Sequence, residues 1–342
     1  MAAGQERLLR RRIQTVRSTK KITHAMELIA ASQIQRAQNR IRSARPYFAG
    51  MTSMVAEAAR DARGTAGRLL AQPENVRRTM VLVVVADRGL CGGYNSNILR
   101  AAERTLAYGD SEGREQTLVT VGRKAQGFFH YRGRRIDHAF SGMTDRPRYE
   151  DAQTVAPLLV DPFMAGEVDL VQVISMRFVS AGTQRVDVRD TLPLPAAPAA
   201  GETGTASATS PTSSALSTAA PAAPASYEEA LARHGAGPSS TGGYVEFEPE
   251  SKDLLSLLVP RYAEALVFEA LLEASASEHT SRQRAMASAT ENAEELIKTL
   301  SRRMNRARQD SITTEIMEIV SGAEALRRAT AGTDARVEVV AE

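Results

Sequence analysis

Tryptophan is absent from these 342 residues, cysteine occurs once, and aromatic side chains make up only 5%. A single cysteine, Cys91, excludes an intrachain disulfide and any cysteine-cluster metal site, and suits a reducing compartment. The five histidines (His24, His130, His138, His234, His279) are scattered, without ligand spacing or paired carboxylates. No apolar run approaches the ~18 residues of a membrane span; residues 80–86 form the longest and are strand-sized. The basic residues near the start are not followed by the apolar core of a signal peptide. The expectation is a soluble chain, or one docked on something held in a membrane.

Charge is nearly balanced at +3 but unevenly placed. Residues 1–45 hold eleven Lys or Arg against Glu6 and Glu27. That excess fits an acidic partner surface (nucleic acid, lipid or protein) or a solvated basic helix face. The length suggests about two domains at roughly 150 residues each, and 43% hydrophobic residues suffice for a core.

Both ends read as long helices. The first carries an apolar stripe at Ile13, Val16, Met26, Ala30, Ile34, Ala37, Ile41, Ala44, Phe48, Met51, Val55 and Ala58. From Ala30 the steps alternate between four and three, the 3.5-residue period of a left-handed coiled-coil seam. Pro46 predicts a bend rather than a stop, because the stripe continues past it. The last helix is expected from Ser251, with Pro260 kinking or restarting it. Its stripe reads Met286, Ala289, Ala293, Leu296, Leu300, Met304 and Ala307, then shifts phase to Ile312, Ile316, Ile319, Ala323 and Leu326. About 75 helical residues would span roughly 110 Å at 1.5 Å each, wider than one globular core.

Between them lies a strand-and-helix region. The Val-rich run 79–86 predicts a strand buried on both faces. Helices are expected at 96–108 and 123–131, and one at 149–163 broken by Pro157 and Pro162. Strands are expected at 117–121, 169–178 and 184–192, the last antiparallel. Residues 193–243, dominated by Ala, Pro, Ser, Thr and Gly, predict a disordered insertion with one short helix at 227–233. A strand at 244–248 then resumes the sheet. The fold class is α/β: a long antiparallel coiled coil of the terminal helices plus a Rossmann-like central domain. The divisions are 1–62, 75–250 (insertion about 195–242), 251–330, and a flexible tail at 331–342.

The glycine-rich loop after the first strand, residues 87–95, is the obvious place for a phosphate. It is neither G-x-x-x-x-G-K-[ST] nor G-x-G-x-x-G, and no Lys follows the glycines. A tight turn packing a helix onto a sheet is the better reading. Nothing resembles a nucleophile elbow. Cys91 could be a reactive thiol, though a small buried hydrophobe is commoner. No credible active site emerges, and no cofactor is expected.

Three stretches carry a resemblance: residues 19–32 (TKKITHAMELIAAS), residues 87–97 with their Asp-Arg-Gly-Leu-Cys-Gly-Gly core, and residues 305–325 with Ile312-Thr313-Thr314-Glu315 and Gly322-Ala323. Together they resemble the gamma subunit of F-type proton-translocating ATP synthases, over nearly the whole chain except about 195–242. The resemblance implies a rotor with no bond chemistry of its own. Its terminal helices would sit inside a hexamer of alpha and beta subunits, and its α/β domain against the epsilon subunit and the membrane c-ring. It would lie peripherally on the cytoplasmic face of a bacterial plasma membrane, without nucleic acid. Lys20, Lys21 and Met26 match the family region facing an acidic lobe of beta. Arg308, Gln309, Thr313 and Glu315 match the region meeting loops higher in the hexamer. His24 stands where the family often has Lys, and a lone Cys91 excludes the redox pair of plastid relatives. Two other readings stay open: a non-rotary coiled-coil scaffold with an α/β interaction domain, and a nucleotide-binding enzyme using the glycine-rich loop.

Overall fold

A computed structural model describes residues 2–61, 73, 75–194 and 251–338. The expected insertion, its short helix and the strand at 244–248 lie outside the described residues. The elements run α1 (Ala2–Asp61), β1 (Arg78–Val84), α2 (Tyr94–Ser111), β2 (Glu115–Val121), α3 (Arg123–Tyr131), β3 (His138–Phe140), α4 (Tyr149–Ala165), β4 (Leu170–Phe178), β5 (Gln184–Leu192) and α5 (Ser251–Glu338). Two compact units result: Ile29–Ala285, and Met1–Leu28 with Met286–Glu342.

In the first unit the strands form one sheet in the order β3-β2-β1-β4-β5. β1 pairs in parallel with both β2 and β4, as Val81 with Leu118 and Gln172. β5 closes the described sheet antiparallel to β4, as its alternation predicts. β1 is buried on both faces because helices cover both. Val81, Val83 and Val85 pack with Ile98, Leu106 and Phe129 of α2 and α3. Met80, Leu82 and Val84 pack with Leu159 and Phe163 of α4, Val55 of α1, and Leu266 and Ala270 of α5. Each fully buried aliphatic side chain contributes about 1.5–3 kcal/mol.

Sequence missed β3, which has three residues and no room for a period. It also broke α4 at Pro157 and Pro162, whereas α4 is one helix containing both. Each proline removes one N–H; Pro157 lies off the packed face, and Pro162 is half-buried in the last turn, where the helix is about to end. Ala152, Val155, Ala156, Leu159, Val160 and Phe163 form the buried side, while Pro157 and Gln153, whose carbonyl loses its donor, are exposed. The Arg148 N–H donates to the Asp151 carboxylate at 2.7 Å at the start, and Gly166 at φ 82° ends the helix in the left-handed region. The same reasoning covers Pro46 and Pro260. Both are exposed, α1 does not stop at Pro46, and α5 begins at Ser251 without restarting at Pro260. α5 continues to Glu338, past the 331 boundary expected for a tail.

Candidate functional site

The carboxyl ends of the parallel strands are where open α/β sheets bind ligands, and here loops and a helix of the same chain fill that place. Asp87, directly after β1, knits three loops together. Its carboxylate accepts from Arg123 N–H at 3.1 Å, Gly142 N–H at 2.8 Å and the Thr144 hydroxyl at 3.0 Å. Asn95 ties the turn down, its Oδ1 accepting from Ala86 N–H at 3.0 Å. Leu90 (φ 64°) and Gly92 (φ 57°) adopt the left-handed region the tight turn requires. α5 then lies across the loops. Arg282 donates to the Gly89 carbonyl at 3.4 Å and to Glu278 at 2.6 Å. A Cβ at Gly92 would stand 3.6 Å from that of Ala285. Ser275 and His279 Nε2 both donate to the Asp145 carbonyl, at 3.1 and 3.2 Å. Burial holds the His279 imidazole below its ordinary pKa, which suits a neutral ring donating through Nε2. The glycine-rich loop is therefore a packing turn. Cys91 is buried, and burial followed by the Glu278 charge pushes its thiol up, away from reactivity. Among the described residues no three His, Cys, Asp or Glu side chains could hold a metal ion.

In the second unit, α1 and α5 pair antiparallel, since rising α1 numbers meet falling α5 numbers. Lys20 Nζ reaches Glu294 at 3.1 Å, and the Thr23 and Thr290 hydroxyls meet at 2.8 Å. These two contacts occupy the gap the apolar stripe left between Val16 and Met26. The stripe of α5 also needs correction. Its regular seam runs through Met286, Thr290, Ala293, Ile297, Leu300, Met304, Ala307 and Ser311, alternating four and three, with Ala289 half-buried as expected and Ala287 and Ser301 half-buried beside it. Leu296, assigned to the seam from sequence, is 42% exposed. Choosing only apolar residues passed over Thr290 and took Ile297's neighbour instead. Carried on at this register, the start of α1 meets α5 near Ser311. From Ile312 to Ala325 α5 is exposed, so Ile312, Ile316 and Ile319 form an uncovered apolar line. Leu8 and Ile22 stand exposed on the outer side of α1, two heptads apart.

The family model for "ATP synthase" matches residues 5–326. The chain is 44% identical over 338 residues to the ATP synthase gamma chain of Mycolicibacterium gilvum, covering 95% of this chain and 98% of that one. It is 42% identical to the ATP synthase gamma chain of Frankia casuarinae, covering 96% of this chain and 100% of the relative. The chain belongs to the ATP synthase gamma chain family. The fold is likewise similar to the rotor of Euglena gracilis mitochondrial ATP synthase, with a TM-score of 0.56, 15% identity, and coverage of 91% of this chain and 99% of that one.

Within this gamma-family fold, the residues marked out from sequence fall into two groups along one coil. Lys20, Lys21 and His24 line an open groove of about 840 Å³ with Arg17, Glu294 and Lys298. Lys20 is half-committed to Glu294, whose carboxyl it holds below the usual range. Met26 is half-buried. Arg308, Gln309, Thr313 and Glu315 are all exposed, and the Thr313 hydroxyl bonds back to the Gln309 carbonyl at 3.0 Å. By the antiparallel register the two groups lie about 20 Å apart along the axis, at 1.5 Å per residue. They are two separate stretches of α1 and α5. What sequence reasoning missed is the polar layer of Thr23, Thr290 and Glu294, whose signal was the interruption of the apolar period itself.

Proposed function

We propose that this chain is the central-stalk rotor of a proton-translocating F1Fo ATP synthase, coupling c-ring rotation to ATP synthesis at the beta-subunit sites. Membership of the gamma chain family over residues 5–326 carries the reading. The partners are the alpha and beta subunits of the hexamer, the epsilon subunit and the c-ring. The likeness to a chain described as an ATP synthase rotor agrees with this. Lys20, Lys21 and Met26 are proposed as one partner-contact zone, and Arg308, Gln309, Thr313 and Glu315 as another; the exposed line Ile312, Ile316 and Ile319 needs a cover that a surrounding hexamer would supply. The chain acts without an active site of its own, a view supported by α5 lying across the crevice a nucleotide would need. We place it on the cytoplasmic face of the bacterial membrane; among the described residues no helix is long and apolar enough to cross one. Functionally the chain divides into a terminal helix at 1–62, an α/β region at 75–250 bearing the 195–242 insertion, and a terminal helix from 251 whose helical backbone runs on to Glu338, into the segment 331–342 expected as a tail.

The physical logic is differential contact. One asymmetric shaft presents a different face to each of three beta subunits, so each orientation can favour a different conformation. Swinging a site from 1:99 to 99:1 needs about 5.5 kcal/mol of difference. The test is affinity purification of the tagged full-length chain from its own cells. Stoichiometric alpha and beta subunits, with ATP hydrolysis, are the expected result; their absence overturns the reading.

A further inference from the structure

A rotor must not slip where force passes from the sheet-bearing unit into its helix. Apolar packing alone is a poor guard against slippage, because it is non-directional and follows buried area. Hydrogen bonds to fixed backbone carbonyls are directional, and α5 makes them on two opposite sides within the Ile29–Ala285 unit. At 100° per residue, Ser275, His279 and Arg282 share one face. Ser275 and His279 hold the Asp145 carbonyl, and Arg282 holds that of Gly89. Ser277 and Arg284 lie on roughly the opposite face. Ser277 donates to the Met176 carbonyl near the end of β4 at 3.5 Å, and Arg284 donates to the Ala181 carbonyl in the β4–β5 hairpin. The loops after β1, β3 and β4 are thus gripped from both sides of one helix. The loops are themselves cross-tied: Asp87 joins the first two to the start of α3.

We infer that Ser275, Ser277, His279, Arg282 and Arg284 are positioning residues that fix the rotation of α5 about its own axis against the sheet, so that turning force enters the helix instead of being lost as slip. The two faces act as a couple: rotation in either sense pulls against one set of bonds. This inference rests on the rotor reading.

The complex reconstituted in vesicles provides the test, through ATP-driven proton pumping measured beside ATP hydrolysis. His279→Leu with Arg284→Met removes a donor from each face while keeping bulk. Pumping per ATP should be lost while hydrolysis persists. A second variant, Gly92→Cys with Ala285→Cys in a Cys91→Ser background, uses the close Cβ approach at those positions, which falls within disulfide range. Oxidation with diamide should leave pumping intact in the otherwise native chain and restore it in the His279→Leu/Arg284→Met variant. The reduced form of each protein controls for folding. Wild-type pumping by His279→Leu/Arg284→Met, loss of pumping on oxidising the cross-link, or failure of the cross-link to restore pumping would each overturn the inference. If the unmodified chain assembles with no alpha and beta subunits, the rotor reading falls first, and this one with it.

Discussion

Thr23 and Thr290 meet hydroxyl to hydroxyl at 2.8 Å, inside a seam that is otherwise mostly apolar. Each hydroxyl also lies in reach of a carbonyl of its own helix, Thr23 to Lys20 at 3.1 Å and Thr290 to Met286 at 2.8 Å. Two protons therefore serve three contacts, and one back-bond is released whenever the interhelical bond forms. A polar step in a seam fixes register at some cost in stability. A sliding coil would have to break it first.

Replacing either threonine by valine should cost about 1 kcal/mol. Replacing both should cost less than the two separate losses, because no hydroxyl is then left facing methyl groups. Urea unfolding of the four proteins gives the coupling directly. Simple additivity would show that the two hydroxyls do not act as a pair.

Glu273 introduces a pH dependence. Arg189 bonds Glu269 at 3.1 Å and Asp187 at 3.2 Å, leaving Glu273 in an already negative corner with Arg177 nearby. Burial, then the Glu269 carboxylate, push the Glu273 carboxyl up to about 8. The folded chain therefore holds a proton that the unfolded chain has released, from about pH 4.5 to about 8. Stability from this group is lost as pH rises through that window, by at most about 1.4 kcal/mol per unit. Glu273→Gln keeps the neutral form at every pH. The stability difference between wild type and variant, measured by denaturant from pH 5.5 to 8.5, should widen in the variant's favour. A flat difference contradicts the assignment.

Two glycines should respond oppositely to alanine. Gly122 sits at φ 103°, and an added Cβ would fall 2.1 Å from the Val85 carbonyl oxygen; Gly122→Ala should cost about 2–4 kcal/mol. Gly127 lies exposed within α3 with open space around it. There alanine lowers the entropy of the unfolded chain and should add about 0.5–1 kcal/mol. Thermal melts of both variants settle the signs; destabilisation by Gly127→Ala would be the failing outcome.

In α1 beyond Ala30 and in the sheet-bearing region, the apolar period was a reliable guide; along α5 it misplaced Leu296. The stripe from Ala30 to Ala58 is covered throughout, α3 runs over the expected residues, and β5 is antiparallel as its alternation suggested. The polar positions of the same seam were illegible for a physical reason. Lys20 and Thr290 reach the interface through a salt bridge and a hydroxyl pair, and hydrophobicity does not register either. Nor did the residues that clamp α5, Ser275 and His279 among them, announce themselves. Their partners are backbone carbonyls of remote loops, and carbonyls carry no sequence signature. The fold lay in the periodicity. The grips lay outside it.

Lys20 and Glu294 are separated by 274 residues of chain. Closing a loop of that length costs about 5 kcal/mol in chain entropy beyond a constant, too much for a few seam contacts to offset alone. The unit from Ile29 to Ala285 removes most of that cost by first packing Phe48 of α1 against Ala265 and Leu272 of α5. Pairing can then spread residue by residue from Met286 toward Ser311. The order of formation is thereby set. In hydrogen exchange the far end of the coil should be last to protect and first to fray.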